Sequence, residues 1–130
     1  MLEIHERTDT QGYEKIISGI QDDNIHIVES INGKEVNGYG VYSFNENGLN
    51  IYDFNSDERE ITDGIIRTIL FKGLLGGLNS CNFSIADKEK HEKLISLGFI
   101  KADVNLIDNI GEFMGGCQNC GEFNMNDIDI

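Results

Sequence analysis

The sequence predicts an α/β (α+β) domain with a mixed, mostly antiparallel central sheet and flanking helices. Three observations predict it. Strand-like segments fill residues 24–54, broken by "NG" at 32–33 and "NENG" at 45–48, the punctuation of an antiparallel meander. An aliphatic run at helical spacing follows over residues 61–75. Beyond it, strand-like and helix-like stretches alternate to residue 107, as in βαβ connections flanked by helices on both faces of a sheet.

Element by element, residues 2–7 alternate weakly and predict a short strand. Thr8 or Asp9 is a candidate cap for a helix with Tyr13, Ile16, Ile17 and Ile20 on one face. "NIHIVESI", "EVNGYGVYSF" and "LNIYDF" predict the meander strands. In the second of these, Val36, Gly38, Gly40, Tyr42 and Phe44 share one face, and Tyr39 and Val41 the other. Ile61, Ile65, Ile66, Ile69, Leu70 and Leu74 form the buried stripe of the long helix, and Gly76 and Gly77 end it. "SCNFSIA" predicts a strand through Cys81, Phe83 and Ile85. "DKEKHEKLISLGF" predicts a helix capped by Asp87 and stopped at Gly98, and "IKADVNLI" a last strand. Residues 1–110 make one domain, and residues 111–130 a glycine-rich segment with a polar tail.

The length of 130 residues supports one core without an obligatory metal or disulfide. A net charge of -13 argues against nucleic acid, whose binders need a basic stripe, and against anionic membranes. It favours cationic partners, either a small-molecule amine or a basic peptide. No apolar run reaches the roughly 18 residues of a membrane span. The charged start "MLEIHERTDTQ" shows no secretory signal, so a cytoplasmic location is expected. Oligomeric state is not legible.

The stretch "REITDG", residues 59–64, lies where a strand passes into a helix. Arg59, Thr62 and Gly64 stand at the three defined positions of the Q/R-x-x-G-x-G/A motif, with Thr at the middle glycine. The helix that follows is aliphatic. Further on, Asp87 stands where a helix-preceding Asn is usual, and Leu97-Gly98-Phe99 is intact. In these motifs, in their order and in the meander before them, the chain resembles the GNAT superfamily of N-acetyltransferases over about residues 24–107.

The resemblance implies acetyl-CoA as cofactor, its pyrophosphate held by the backbone of the turn. The contacts implied are Phe54, Arg59, Glu60, Ile61, Thr62, Asp63, Gly64 and Asp87. The physics is general: the first amides of a helix lack intrahelical acceptors, and the helix dipole adds positive charge there. Acids in a first turn also stabilise a helix without any ligand, so Glu60 and Asp63 have an ordinary role too.

The activity implied is transfer of acetyl to an amine, which needs a base for the amine and an acid for the leaving thiolate. Asp53 is the candidate base, with Tyr39 and Tyr52 as alternatives. The resemblance places the acid, often a tyrosine, at Leu94, and His91 is the nearby group able to substitute. Asp53 and His91 are therefore the candidate catalytic pair, each with a plain alternative as a solvated polar residue.

"GGCQNCGE" holds Cys117 and Cys120 at C-x-x-C spacing. Half of a zinc site, a redox dithiol and an incidental glycine-flanked turn all fit it. Cys81 reads as a small core residue. Three functions follow from the sequence: an acetyl-CoA-dependent N-acetyltransferase acting on an amine, a non-catalytic relative binding a basic partner or metal, and a thiol or zinc role through Cys117 and Cys120.

Overall fold

The computed structural model describes residues 2–22, 24–45 and 48–114. Its elements are β1 (Leu2–Glu6), α1 (Glu14–Ser18), β2 (Ile25–Asn32), β3 (Glu35–Asn45), β4 (Gly48–Ser56), α2 (Arg59–Leu75), β5 (Cys81–Phe83), α3 (Lys88–Leu97), β6 (Leu106–Ile107) and α4 (Ile110–Met114). The six strands lie in sequence order in one sheet. Every neighbouring pair is antiparallel except β4 and β5. Those two are parallel because α2 carries the chain back to the starting edge before β5 begins.

Two glycines decide how closely α2 approaches the sheet. A Cβ on Gly38 would lie 2.9 Å from Ile65 Cδ1, and one on Gly40 2.7 Å from Ile65 Cγ2 and 2.9 Å from Ile69 Cδ1. With no side chain at either position, α2 rests directly on the β3 backbone. Its stripe of Ile61, Ile65, Ile66, Ile69 and Leu70 is buried there with Val28, Tyr42, Leu49, Ile51 and Phe54. The fully buried Cys81 belongs to the same core, and burial pushes its thiol pKa up.

Two bulges modify the expected alternation. Ser30 pairs with Gly38 but Ile31 pairs with Val36, so Asn37 is an extra residue on β3. Val36 therefore leaves the buried row and is 50% exposed. Val41 pairs with Asp53 but Tyr42 pairs with Ile51, so Tyr52 is an extra residue on β4.

α1 is shorter than its sequence predicts and buries no residue. Asp9 does not cap it. Its carboxylate instead accepts from the Gln11 amide at 2.9 Å and from Arg7 at 2.7 Å, closing a turn ahead of the helix. Tyr13 occupies the N-cap position, and its ring meets Tyr39, 5.2 Å between centroids. Tyr39 alternates with the glycines that face α2, so α1 and α2 cover opposite faces of the sheet.

α3 follows expectation. The Asp87 carboxylate accepts from the Glu89 and Lys90 amides, and Gly98 ends the helix at φ 88. The predicted strand over 100–107 shrinks to two residues, because Lys101 and Val104 close a turn first. α4 was not expected within the glycine-rich segment. Asn109 Oδ1 caps it from the Glu112 amide at 2.9 Å. Asn79 accepts from Ile110 through its carbonyl and from Gly111 through its side chain.

Candidate functional site

β4 is attached unevenly. Leu49, Asn50 and Ile51 pair with Cys81, Asn82 and Phe83, and the Ser84 amide donates to the Ile51 carbonyl at 2.8 Å. Beyond that point β4 continues to Ser56, and no described strand accompanies it on that side. The gap opens at the Tyr52 bulge. It is bounded by β4, by the start of α2 and by α3.

The turn from β4 into α2 is tied from inside. The Ser56 hydroxyl donates to the Glu58 carbonyl at 2.7 Å and lies 2.7 Å from the Thr62 hydroxyl. Thr62 is fully buried. The threonine at the motif's middle position thus turns its side chain into the protein and leaves the outer surface of the turn clear. Gly64 lies farther along α2, where an added Cβ would meet Ile4 Cδ1 at 3.1 Å. That places Gly64 in the packing of α2 on β1, inside the helix rather than among its first amides.

No side chain caps α2. Glu58 holds the extended N-cap backbone, φ -127 and ψ 141, without a side-chain hydrogen bond to the first turn. The first intrahelical bond runs from the Thr62 amide to the Glu58 carbonyl at 3.1 Å, so the Arg59, Glu60 and Ile61 amides precede it and have neither an intrahelical acceptor nor a side-chain cap. α3, by contrast, is closed by Asp87, whose carboxylate is committed to that cap.

The acids of the turn have separate fates. Asp63 bonds Arg67 one turn along, 2.9 Å, so its charge is compensated on the helix flank. Glu60 is exposed. Arg59 reaches α3 instead of a carboxylate, donating to the Ser96 hydroxyl at 2.7 Å and to its carbonyl at 2.8 Å. A shallow recess of about 270 Å³ lies against Arg59, Glu60, Asp63 and Leu97. The Phe54 side chain is buried in the core, and its amide donates to Asp53 Oδ1 at 2.9 Å.

Asp53 lies at the bulge with a mostly buried side chain. Its Oδ2 accepts from the Tyr39 hydroxyl at 3.0 Å, and its Oδ1 accepts from the Phe54 amide at 2.9 Å and from the Lys90 ammonium. Burial, then the Asp53 charge, pushes the Tyr39 phenol up to about 12. His91 points elsewhere, its Nε2 3.4 Å from the Ala102 carbonyl. Leu94 is fully buried. The structure thus joins Asp53 to Tyr39 and leaves His91 apart from both. Cys117 and Cys120 lie outside the described residues.

Lys90, the ion-pair partner of Asp53, is one residue of the candidate site that sequence reading passed over. Its signal was present: it stands four residues before Leu94, so a lysine falls on the helix face that also buries a leucine. A lysine there needs a partner. Ser96 gave no such signal, because its role depends on where Arg59 reaches.

Comparison with solved structures identifies the architecture. The aminoglycoside N-acetyltransferase AAC(6')-Iy, solved in complex with CoA, superposes with a TM-score of 0.56 at 13% identity, covering 78% of this chain and 89% of that one. A putative N-acetyl transferase from E. coli, YhhK, solved bound to coenzyme A, gives 0.53 at 13% identity, covering 84% and 98%. No family model matches the sequence, and no curated protein does. The chain shares the mixed-sheet fold of these two CoA-bound proteins.

Proposed function

We propose that the protein is an acetyl-CoA-dependent N-acetyltransferase acting on an amine. The observation that carries this reading is the uncapped start of α2, set directly after a strand that parts from its parallel neighbour. Both compared proteins with this fold were solved with CoA. The Arg59, Glu60 and Ile61 amides would hold the pyrophosphate, with the helix dipole behind them. The pairing of Asp63 with Arg67 removes one carboxylate from competition there. Acetyl-CoA supplies a thioester carbon open to attack by an amine. This chain's part is to hold an amine at the Tyr52 bulge, with Asp53 as proton acceptor.

The test is thermal unfolding against acetyl-CoA, with a chelator present. A ligand at 100 times its Kd adds about 2.7 kcal/mol, which raises Tm by several degrees in a domain near this size. A saturable rise of that order supports the reading. An unchanged Tm at millimolar acetyl-CoA removes it.

The buried Leu94, at the position where the resemblance implies an acid, favours a second reading. In it the fold is kept without catalysis and the acidic surface binds a basic partner. An unchanged Tm at millimolar acetyl-CoA, together with a saturable Tm rise with a basic peptide, would select it. A thiol or zinc role for Cys117 and Cys120 is tested by metal analysis of untagged protein.

A further inference from the structure

We propose that Asp53 and Tyr39 form a seat for a primary ammonium, that Lys90 fills it in the free protein, and that the acceptor is a primary alkylamine that takes Lys90's place. The proposal rests on the acetyltransferase reading above. It adds the class of acceptor and an internal competitor for it.

The seat is built before any ligand arrives. Asp53 Oδ2 takes the Tyr39 hydroxyl at 3.0 Å, and Oδ1 takes the Phe54 amide at 2.9 Å. Both fix the carboxylate's orientation, and neither neutralises its charge. The side chain is only 18% exposed, so a cation is required beside it. The cation present is the ammonium of Lys90, at the end of a four-methylene stem. The geometry therefore already shows which chemistry the seat accepts: a compact ammonium that donates hydrogen bonds, carried on an alkyl chain. The ring of Tyr39 stands beside it, and the Tyr13 ring packs on that of Tyr39, 5.2 Å between centroids and inclined at 60°. They offer an apolar wall for a second alkyl chain.

Glu29, another acid on this face, is already paired. Glu29 accepts from Arg7 at 3.1 Å and from the Tyr13 hydroxyl at 2.5 Å. Lys90, in contrast, is a half-buried residue in the first turn of α3, beside residues 87–89 that are all exposed. Its stem can swing out without disturbing the core. The net charge of -13 draws cations towards the protein.

The experiment is calorimetric titration with n-butylammonium, with no acetyl-CoA present. A site blocked by its own lysine shows an affinity reduced by the fraction of time it is open. If Lys90 occupies the seat nine-tenths of the time, Lys90→Met binds n-butylammonium about tenfold more tightly than the unmodified protein. Lys90→Gln serves the same purpose should the methionine variant not fold. Lys90→Arg, which keeps a cation on Asp53, should show no gain. Adding Asp53→Asn to Lys90→Met should abolish the gain, and tetramethylammonium, which donates no hydrogen bond, should not reproduce it. No gain in either neutral variant, or a gain that survives Asp53→Asn, overturns the seat. A gain in a protein whose Tm ignores acetyl-CoA keeps the seat and overturns its role as an acceptor site. An acetyl-CoA response without the gain overturns the seat and leaves the transferase reading standing.

Discussion

Replacing Gly40 by alanine tests how the architecture is held together. The added methyl would sit 2.7 Å from Ile65 Cγ2 and 2.9 Å from Ile69 Cδ1. Carbon atoms in contact lie at about 3.5–4.0 Å, so the methyl is roughly 1 Å too close to two side chains that are themselves fully buried. α2 must lift or its isoleucines must leave their rotamers, and overpacking of this kind costs about 1–3 kcal/mol. Alanine also restricts the unfolded chain, which offsets about 0.4–1 kcal/mol. The expected net destabilisation is about 1–2 kcal/mol, a Tm lower by about 4–8 °C for a chain of this length. Urea unfolding with the slope held in common measures it. Gly19→Ala is the control, because a Cβ there meets only the Ile16 carbonyl at 3.7 Å. Combining Gly40→Ala with Ile65→Ala adds a second check, since the new methyl would occupy space vacated by the isoleucine. The double variant should be more stable than the sum of the singles implies, by about 0.5 kcal/mol or more. A Gly40→Ala protein as stable as the original, or strictly additive effects, would falsify the close-packing argument.

Other outcomes follow from the same structure. Asp87→Ala removes an acceptor shared by two amides and should cost about 1 kcal/mol in chemical unfolding. An unchanged midpoint would show that solvent caps α3 equally well. Glu60→Gln removes an exposed acid from the first turn of α2. It should tighten acetyl-CoA binding by about two- to fivefold at low salt, the scale of one charge at a helix end. Weaker binding would place the anion elsewhere. Burial is the first cause that raises the phenol pKa of Tyr13, Tyr39, Tyr42 and Tyr52. Stability from neutral phenols is complete below pH 10 and is lost as pH climbs through the folded-state values, about 12 for Tyr39. Absorbance of the native protein near 295 nm should therefore change little at pH 10, then rise together with unfolding. An ordinary phenol titration centred near 10 in folded protein contradicts this.

Much of the fold was legible because its signals are local. The turns at 32–33 and near 45–48, the isoleucine stripe of α2, and the Asp87 and Gly98 ends of α3 each rest on a few neighbouring residues. What the sequence hid depends on register between strands. The extra residues Asn37 and Tyr52 look like any others until their partners are known, yet one exposes Val36 and the other sets where β4 opens. α4 was hidden for a related reason, since its start is fixed by Asn79, some 30 positions away in sequence. At the candidate site, the turn and Asp53 are singled out by pattern. The direction of Lys90 and His91 is not, because adjacent residues on a helix face about 100° apart, and only the position of β4 decides which one meets Asp53.

The uneven attachment of β4 also determines where the molecule opens first. Towards β3 it is bonded from Gly38 opposite Ser56 to Asn45 opposite Gly48, whereas towards β5 it is bonded only over Leu49, Asn50 and Ile51. β5 and β6 in turn share two residue pairs. Amide hydrogen exchange should accordingly divide the sheet into a slow unit, β2 to β4 under α2, and a faster rim of β5, β6 and the start of α3. The candidate site lies on the seam between the two. A ligand bound there would contact a part that rarely opens and a part that opens often. Its presence should therefore appear chiefly as new protection in the rim, with the slow unit almost unchanged.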